Sequence, residues 1–401
     1  MADKSKDYNV KKVSDDSAAP KPEEPAAEGK GVKLLRAATN GVVLLLVLAV
    51  VMLAAYQDGA GFDFLRRWFV YGTTERADSY AYDAAVNNRF ALLGDGVAVL
   101  SGTELRILGG DGTAVLSKPL NMRAPALAAA GTVAVAYDVG GTELWLVNAE
   151  GEELLHLQQP ADLPLIAASV NKAGYLAVTA EKNGCKGCVS VYDPNQTLIF
   201  EFNSVERFVT DARVAEDGRT LTAVTLGQEA GSFVSRMVVY DLTKTDPQAG
   251  WSVTDGVVLA LEELEGRMAA VCDTVLVYGD AKGETYGTYD YGGAYLRDWA
   301  IGENYTVLRL NRYYAGSIGR IVTVDMDGKE RAALDVNEEV LSVSAAGRYI
   351  AVLYAGRVVI YTQDLVEYAR MEGAERAKDV LMCEDGSALV LESERGTRFL
   401  P

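Results

Sequence analysis

Histidine is almost absent from this chain: His156 is the only one. A Ser-His-Asp or Cys-His mechanism, or a metal site built from several imidazoles, therefore has at most one ring to draw on. Cysteine is scarce as well, and four residues are too few to frame a disulfide-stapled domain. Positive charge is in deficit, with 38 Lys and Arg against 56 Asp and Glu. Residues 1–36 hold eight basic and seven acidic side chains, which leaves 30 and 49 for the remainder, a body near −19. Such a body repels phosphate backbones and anionic lipid heads, so nucleic acid is not among the expected partners. Basic partners and divalent cations stay open. Long helical periodicity is also missing beyond residue 79, which turns attention to strands.

One long apolar run is present. Residues 37–57 are 21 consecutive uncharged positions centred on GVVLLLVLAVVMLAAY, enough to span a hydrocarbon core of roughly 30 Å as a helix. A secretory signal peptide is the competing reading, but the 36-residue leader is long for one and the apolar run exceeds the usual length. The leader itself, residues 1–36, mixes Lys, Asp, Glu, Pro and Ala with almost no large apolar side chain before Leu34, and is expected to be a disordered tail. Lys30, Lys33 and Arg36 precede the span and Arg66 and Arg67 follow it. That imbalance predicts a cytoplasmic N-terminus and an extracytoplasmic C-terminal domain in a single-pass cell-membrane protein. Residues 58–78 then form a juxtamembrane stalk, whose Phe62, Phe64, Trp68, Phe69 and Tyr71 around two arginines suit the headgroup boundary.

From residue 79 to 401 a unit of about forty residues recurs. Turn residues fall at Gly96, Gly131, Gly174, Gly218, Gly266, Asn304, Gly347 and Gly386. Each is followed by a small-and-branched apolar strand (VAVL, TVAVA, YLAVT, YTVLRL, RYIAVL), the composition of strands buried on both faces. A further regular strand follows (LRIL, LWLV, VSVYD, VVIY), then a polar hairpin turn such as Gly110-Asp111-Gly112 or Asp327-Gly328, then a last strand. Four antiparallel strands per unit is the propeller period, and closing the ring removes the open edges that invite aggregation. The last unit shows only three strands, and SYAYDA (residues 79–84) can supply the fourth. The expected fold is thus all-β, an eight-bladed β-propeller preceded by a single transmembrane helix; seven blades is the alternative if one repeat is irregular.

The units VSVYDPNQTLIFEF, MVVYDLTKTDPQAGW and IVTVDMDGKERAAL resemble WD40-like and quinoprotein-like propellers. The layout of tail, span and propeller is similar to that of an uncharacterised bacterial family of single-span, membrane-anchored β-propeller proteins. The resemblance implies a fold and a topology. The Gly-His and Trp-Asp marks of WD40 repeats are missing, and so is the Thr-Gly-x-x-x-Trp pattern of quinone-binding repeats, so no cofactor is expected.

Few residues carry chemistry. Cys185 and Cys188 lie in a Cys-x-x-Cys hairpin without the helix N-terminus that activates a thioredoxin thiol and without the second pair a zinc site wants. In an extracytoplasmic domain they are expected to close as a local disulfide, reduced thiols being the alternative. Cys272 and Cys383 read as core residues. His156, on an outer strand, has no nucleophile near it in sequence and reads as structural. The densest aromatic stretch runs from Tyr278 to Tyr314, and Tyr286, Tyr289, Tyr291, Tyr295 and Trp299 within it are the candidate ligand-binding residues. The bland alternative is that tyrosine favours half-exposed strands. Asp325-Met326-Asp327-Gly328 lacks the later ligands of a calcium loop and reads as a turn. The expected function is a non-enzymatic binding, scaffold or sensing ring with a protein or envelope-polymer partner. An enzyme acting on envelope glycans through Asp and Glu in the central channel is the alternative.

Overall fold

The computed structural model describes residues 42–47, 50, 79–83, 85 and 88–401. Residues 42–47 and 50 are helical and exposed. The rest of the expected span at 37–57, the expected tail 1–36 and the expected stalk 58–78 lie outside the described residues. Among the described residues no helix is long and apolar enough to cross a membrane.

From Ser79 onward, 32 strands make eight four-stranded sheets, so the ring has eight blades and not seven. Blades 1 to 7 use consecutive strands and occupy residues 89–119, 125–158, 165–204, 208–253, 258–290, 295–336 and 340–372. Blade 8 takes Asp379–Met382, Ala388–Leu391 and Arg395–Phe399 from the end of the chain and borrows Ser79–Ala81 as its outer strand, in the register Ser79↔Thr397, Tyr80↔Gly396 and Ala81↔Arg395. Ser79–Ala81, the first half of SYAYDA, therefore has the closing role its position suggested.

The turn chemistry explains where each sheet folds back. Gly131, Gly174, Gly218, Gly266, Gly347 and Gly386 all sit at positive φ between the first and second strands of a blade, where a side chain is strained. In blade 1 the work falls to Gly94 at φ 56°, and Gly96 is the first residue of the strand Gly96–Leu100. The second strands are buried along their whole length in Gly96–Leu100, Leu176–Ala180 and Tyr349–Tyr354, as strands packed on both faces must be.

The apolar core is divided into eight clusters, and each joins one pair of neighbouring blades. Tyr80, Tyr82, Val97, Val99, Leu108, Leu389 and Leu391 form the one that joins blade 8 to blade 1, so closure rests on packing as well as on strand pairing. Burying such a side chain contributes roughly 1.5–3 kcal/mol. Two buried tyrosines bond their hydroxyls across blade boundaries: Tyr278 donates to Thr306 Oγ1 at 2.7 Å between blades 5 and 6, and Tyr305 to the Tyr349 carbonyl at 3.2 Å between blades 6 and 7.

Because strand direction alternates within a blade, the loops sort onto two rims. One rim carries the turns from first to second and from third to fourth strands. The other carries the turns from second to third strands and the links from each outer strand to the next blade's inner strand. The chain enters at Ser79 and leaves after Phe399 on the first rim, since these ends pair beside one another. The opposite rim is free of both ends.

Candidate interaction face

The rim without chain ends carries most of the exposed large apolar side chains among the described residues of the ring. Blades 4 to 7 supply Val205, Phe208, Phe233, Leu259, Ile318 and Leu341, together with Tyr295, Tyr313 and Tyr314. Two of its second-to-third turns stand up from the ring. In blade 4, Thr220–Glu229 and Ser232–Asp241 are ten residues each, and their pairing runs from Leu226↔Ser235 out to Glu229↔Ser232. Pairing with the inner strand has already stopped at Phe208↔Leu226. At about 3.3 Å per residue the hairpin projects by roughly 10 Å. Its tip uses Ala230 at φ 49° and Gly231 at φ 90°, the paired positive dihedrals of a tight hairpin. Arg207, from the link between blades 3 and 4, braces it by donating to Thr225 Oγ1 at 3.2 Å, to Glu229 Oε1 at 2.8 Å and to the Val234 carbonyl. Phe233 stands on this hairpin 62% exposed, an expensive position for a large aromatic ring.

The second projection is the blade 6 loop between Tyr305–Asn311 and Gly319–Asp325. Asn311 Nδ2 donates to the Gly316 carbonyl at 2.7 Å and the Arg312 amide to that of Ile318 at 3.0 Å, which fixes the loop. Tyr314 is 74% exposed at its crest. Tyr295, at the start of the blade 6 inner strand, meets Tyr314 edge-on, with ring centroids 5.6 Å apart and planes at 80°. Arg297 lies 5.2 Å over the Tyr314 ring and Arg312 lies 5.6 Å over Tyr313.

Blade 5 lies between these projections and is low. Its second and third strands are joined by Asp273 and Thr274 alone, and the Val257 amide and carbonyl hold Asp273 down. On the link from blade 5 to blade 6, a side chain added at Gly292 or Gly293 would touch nothing within 4 Å. The result is a shallow groove whose floor carries the exposed Leu259, Asp255, Asp273 and Asp290, between the blade 4 hairpin with Phe233 and the blade 6 loop with Tyr314.

The aromatic residues singled out in the sequence do not form one surface. Tyr295 belongs to the groove. Trp299 is half-buried on the same inner strand, packed on the blade 5–6 core. Tyr291 is buried within that core, and burial pushes its hydroxyl pKa up. Tyr286 and Tyr289 are on the outer strand Thr285–Asp290 and are engaged within the ring: Tyr286 donates to Asp280 Oδ2 at 2.7 Å with Arg267 4.3 Å over its ring, and Tyr289 donates to Glu330 Oε2 of blade 6 at 2.6 Å. All four cysteines are free thiols, so the disulfide expected between Cys185 and Cys188 is not formed in this structure. Cys188 is buried on the strand Gly187–Tyr192 with its thiol toward the Ala180 carbonyl at 3.6 Å, while Cys185 sits in the preceding turn. Asp325 closes its turn by accepting the Asp327 and Lys329 amides at 3.0 and 2.9 Å, a hairpin turn.

A second set of residues escaped notice in the sequence. Asp211, Asp298 and Asp379 lie on the inner strands of alternate blades. Burial pushes the carboxyls of Asp211 and Asp298 up to about 6 and raises that of Asp379. Perturbed carboxyls near a channel are what a glycan-cleaving site would display. Both Asp298 oxygens are occupied, however, one accepting the Trp299 amide at 3.0 Å and the other the Val343 amide of blade 7 at 2.9 Å. Asp211 likewise accepts the amides of Ala212 and of Leu261 in blade 5, and Asp379 accepts the Ser342 hydroxyl of blade 7 at 2.5 Å. They are pegs between blades. Among the described residues no cluster of three or more His, Cys, Asp or Glu is arranged to hold a metal.

Solved structures share this architecture. The chain is similar to BamB from Moraxella catarrhalis (14% identity, TM-score 0.53, covering 81% of this chain and 99% of that one). It is similar also to the C-terminal WD40 domain of Sif2 (15% identity, TM-score 0.59, 81% and 98% covered) and to the computationally designed Ika8 protein (12% identity, TM-score 0.60, 82% and 100% covered). At such identities the likeness shows the fold alone. No curated protein matches in sequence. A family model described as a family of unknown function matches residues 67–399.

Proposed function

Since this chain belongs to DUF5711, a family whose function is unknown, we propose from its own surface that it is a non-enzymatic binding ring, held at the membrane by one span and engaging a protein or envelope polymer through the rim of blades 4 to 7. One observation carries this reading: exposed aromatic and aliphatic side chains gather on the rim opposite to the two chain ends. Such concentration of large apolar side chains marks interaction sites. The chain enters the ring at Ser79, on the other rim. The 21 uncharged residues at 37–57 support the tether, and the charges around them support a cytoplasmic tail with the ring outside. The acidic body speaks against nucleic acid as the partner. The glycan-cleaving alternative is disfavoured because the carboxyls with raised pKa are engaged by backbone amides and a hydroxyl.

The test is site-specific photo-crosslinking of the full chain in cells. A photoreactive residue at Phe233 or Tyr314 is expected to give partner adducts, and one at Val366, exposed on the other rim, is expected to give none. Adducts from Val366 alone would overturn the assignment of the face. Deleting residues 37–57 should release the chain from the membrane fraction, and retention without them would remove the tether from the proposal.

A further inference from the structure

Cys185 and Cys188 lie on the same rim as the binding face, where the second strand of blade 3 turns into the third, one blade before the hairpin that carries Phe233. Cys185 is half-buried in the turn, and Cys188 is buried near the start of the third strand. Lys182 lies within electrostatic reach of both thiols. The other two thiols, Cys272 and Cys383, belong to blades 5 and 8. The two residues between the pair grip the next blade. The Lys186 amide donates to the Ser204 carbonyl at 2.6 Å, its carbonyl accepts the Val209 amide at 3.4 Å, and its ammonium covers the Phe208 ring at 4.6 Å. Gly187 holds φ 147° against Val209, where an added Cβ would come within 3.1 Å of the valine side chain. Lys186 and Gly187 thus clamp the link 204–209, and the Ser204 hydroxyl donates to the Arg207 carbonyl at 2.6 Å. Arg207 in turn braces the blade 4 hairpin. A continuous chain of contacts runs from the thiol pair to that hairpin.

We propose that Cys185 and Cys188 form a thiol–disulfide exchange site whose oxidation releases the Arg207 brace, so that the reduced pair keeps the blade 4 hairpin raised and the oxidised pair lets it loosen. This rests on the binding face assigned above and names its regulation. A disulfide keeps its two Cα atoms within about 7 Å and fixes the torsion between its sulfurs. Cys188 is anchored by pairing with Ala180 and Asn203, so the closing movement falls on Cys185, Lys186 and Gly187. Glycine at 187 absorbs it, and the Lys186 contacts to the link 204–209 give way. The oxidant is a disulfide of low molecular weight. The half-exposed Cys185 attacks one of its sulfurs as the thiolate and expels one thiolate. Cys188 then attacks the Cys185 sulfur of the mixed disulfide and expels the second. Two electrons pass from the pair to the reagent, and the two cysteine protons end on the two released thiols. Without a helix N-terminus to activate it, the pair is a slow setting and not a catalyst.

Hydrogen exchange of the purified full chain, reduced with dithiothreitol or incubated with oxidised glutathione, tests this. Oxidation is expected to remove two hydrogens from the peptide that holds Cys185 and Cys188. It should also speed amide exchange at residues 226–235 about ten-fold or more, while residues 220–224 of the same blade stay protected. The variant Cys185→Ser should show neither change and keep the wild-type unfolding midpoint, because the residue sits in a turn. A pair that forms no disulfide, or that stops at a glutathione adduct, would overturn the proposal. So would a disulfide that leaves exchange at 226–235 unchanged, or faster exchange there in oxidised Cys185→Ser. The two readings fail separately, because hydrogen exchange needs no partner. Crosslinked adducts at Phe233 that are equally abundant in reduced and oxidised cells would keep the binding face and discard its regulation. Faster exchange on oxidation, without adducts in either state, would keep the switch and discard the face.

Discussion

Asp298 on the inner strand of blade 6 accepts the backbone amide of Val343 on the inner strand of blade 7 at 2.9 Å, so a carboxylate joins two blades where their strands bulge. Asp211 does the same between blades 4 and 5 through Leu261. Burial pushes both carboxyls up to about 6, which gives the ring a particular response to acid. A carboxyl that binds its proton more tightly when folded contributes stability that is complete below its unfolded pKa of about 4 and is lost as pH rises through the folded value. The unfolding midpoint is therefore expected to rise as pH falls from 7 toward 5. Further down, carboxylates such as Asp241, which the Arg219 guanidinium holds well below the usual range, take up protons and reverse the trend. Asp298→Asn flattens the slope between pH 7 and 5 and leaves the chain less stable at pH 5, because an amide NH2 cannot accept the second backbone hydrogen bond. A midpoint that falls steadily from pH 7 to 5 in the native chain contradicts this.

Closure by Ser79–Ala81 gives a second expectation. Tyr80 is fully buried between blades 8 and 1, where its hydroxyl accepts from Arg398 Nη2 at 2.6 Å and donates to the Gly110 carbonyl at 3.2 Å. Tyr80→Ala should cost about 3–5 kcal/mol and Tyr80→Phe about 1 kcal/mol in denaturant unfolding. Similar costs for the two variants would mean that packing at the seam matters little.

Gly287 offers a sharper test of blade packing. It lies in the tyrosine-rich outer strand of blade 5, and an added Cβ would run into the backbone of Asp327 and Gly328 in blade 6. Gly287→Ala is expected to lower stability by about 1–3 kcal/mol, even though the residue lies on the outermost strand. Gly292→Ala, open on all sides but at φ 62°, should cost about 1 kcal/mol through backbone strain alone. Thermal melts of the pair rank the two effects, and a costlier Gly292 variant would refute the packing account.

His156 stacks on Trp145 with centroids 3.5 Å apart and planes within 6°, and Lys118 covers the Trp145 ring at 3.6 Å. The single imidazole is thus one layer of a packed stack. His156→Ala should cost roughly 0.5–1.5 kcal/mol of stability and leave partner crosslinking unchanged. Lost crosslinking with unchanged stability would point to chemistry at this ring.

The repeat was legible because seven of the eight blades fold back from first to second strand at a left-handed glycine, blade 6 turning at 302–304 without one, and because the second strands are largely buried; both leave marks in composition. Gly131 to Gly386 carried the period, and only the blade 1 turn was misplaced, by the two residues from Gly96 to Gly94. The site was less legible. Tyr286 and Tyr295 are close in sequence, but one lies on an outer strand and the other starts an inner strand, so nearness along the chain says little about a shared surface. Phe233 reads as an ordinary strand residue until the extra length of its hairpin is seen to lift it off the ring. The pegs at Asp211 and Asp298 depend on inner-strand bulges, which no local pattern announces.

The seam in blade 8 also fixes the order of assembly during synthesis. Of the ring's strands Ser79–Ala81 leaves the ribosome first, yet its partners arrive last: Tyr80 waits 318 residues for Arg398. Seven blades can stack in turn as the chain emerges, but the ring stays an open arc with an unpaired strand at its start until its final strand is made. A nascent chain that stops before that strand displays the open edge throughout, so incomplete copies carry a visible mark that finished ones lack.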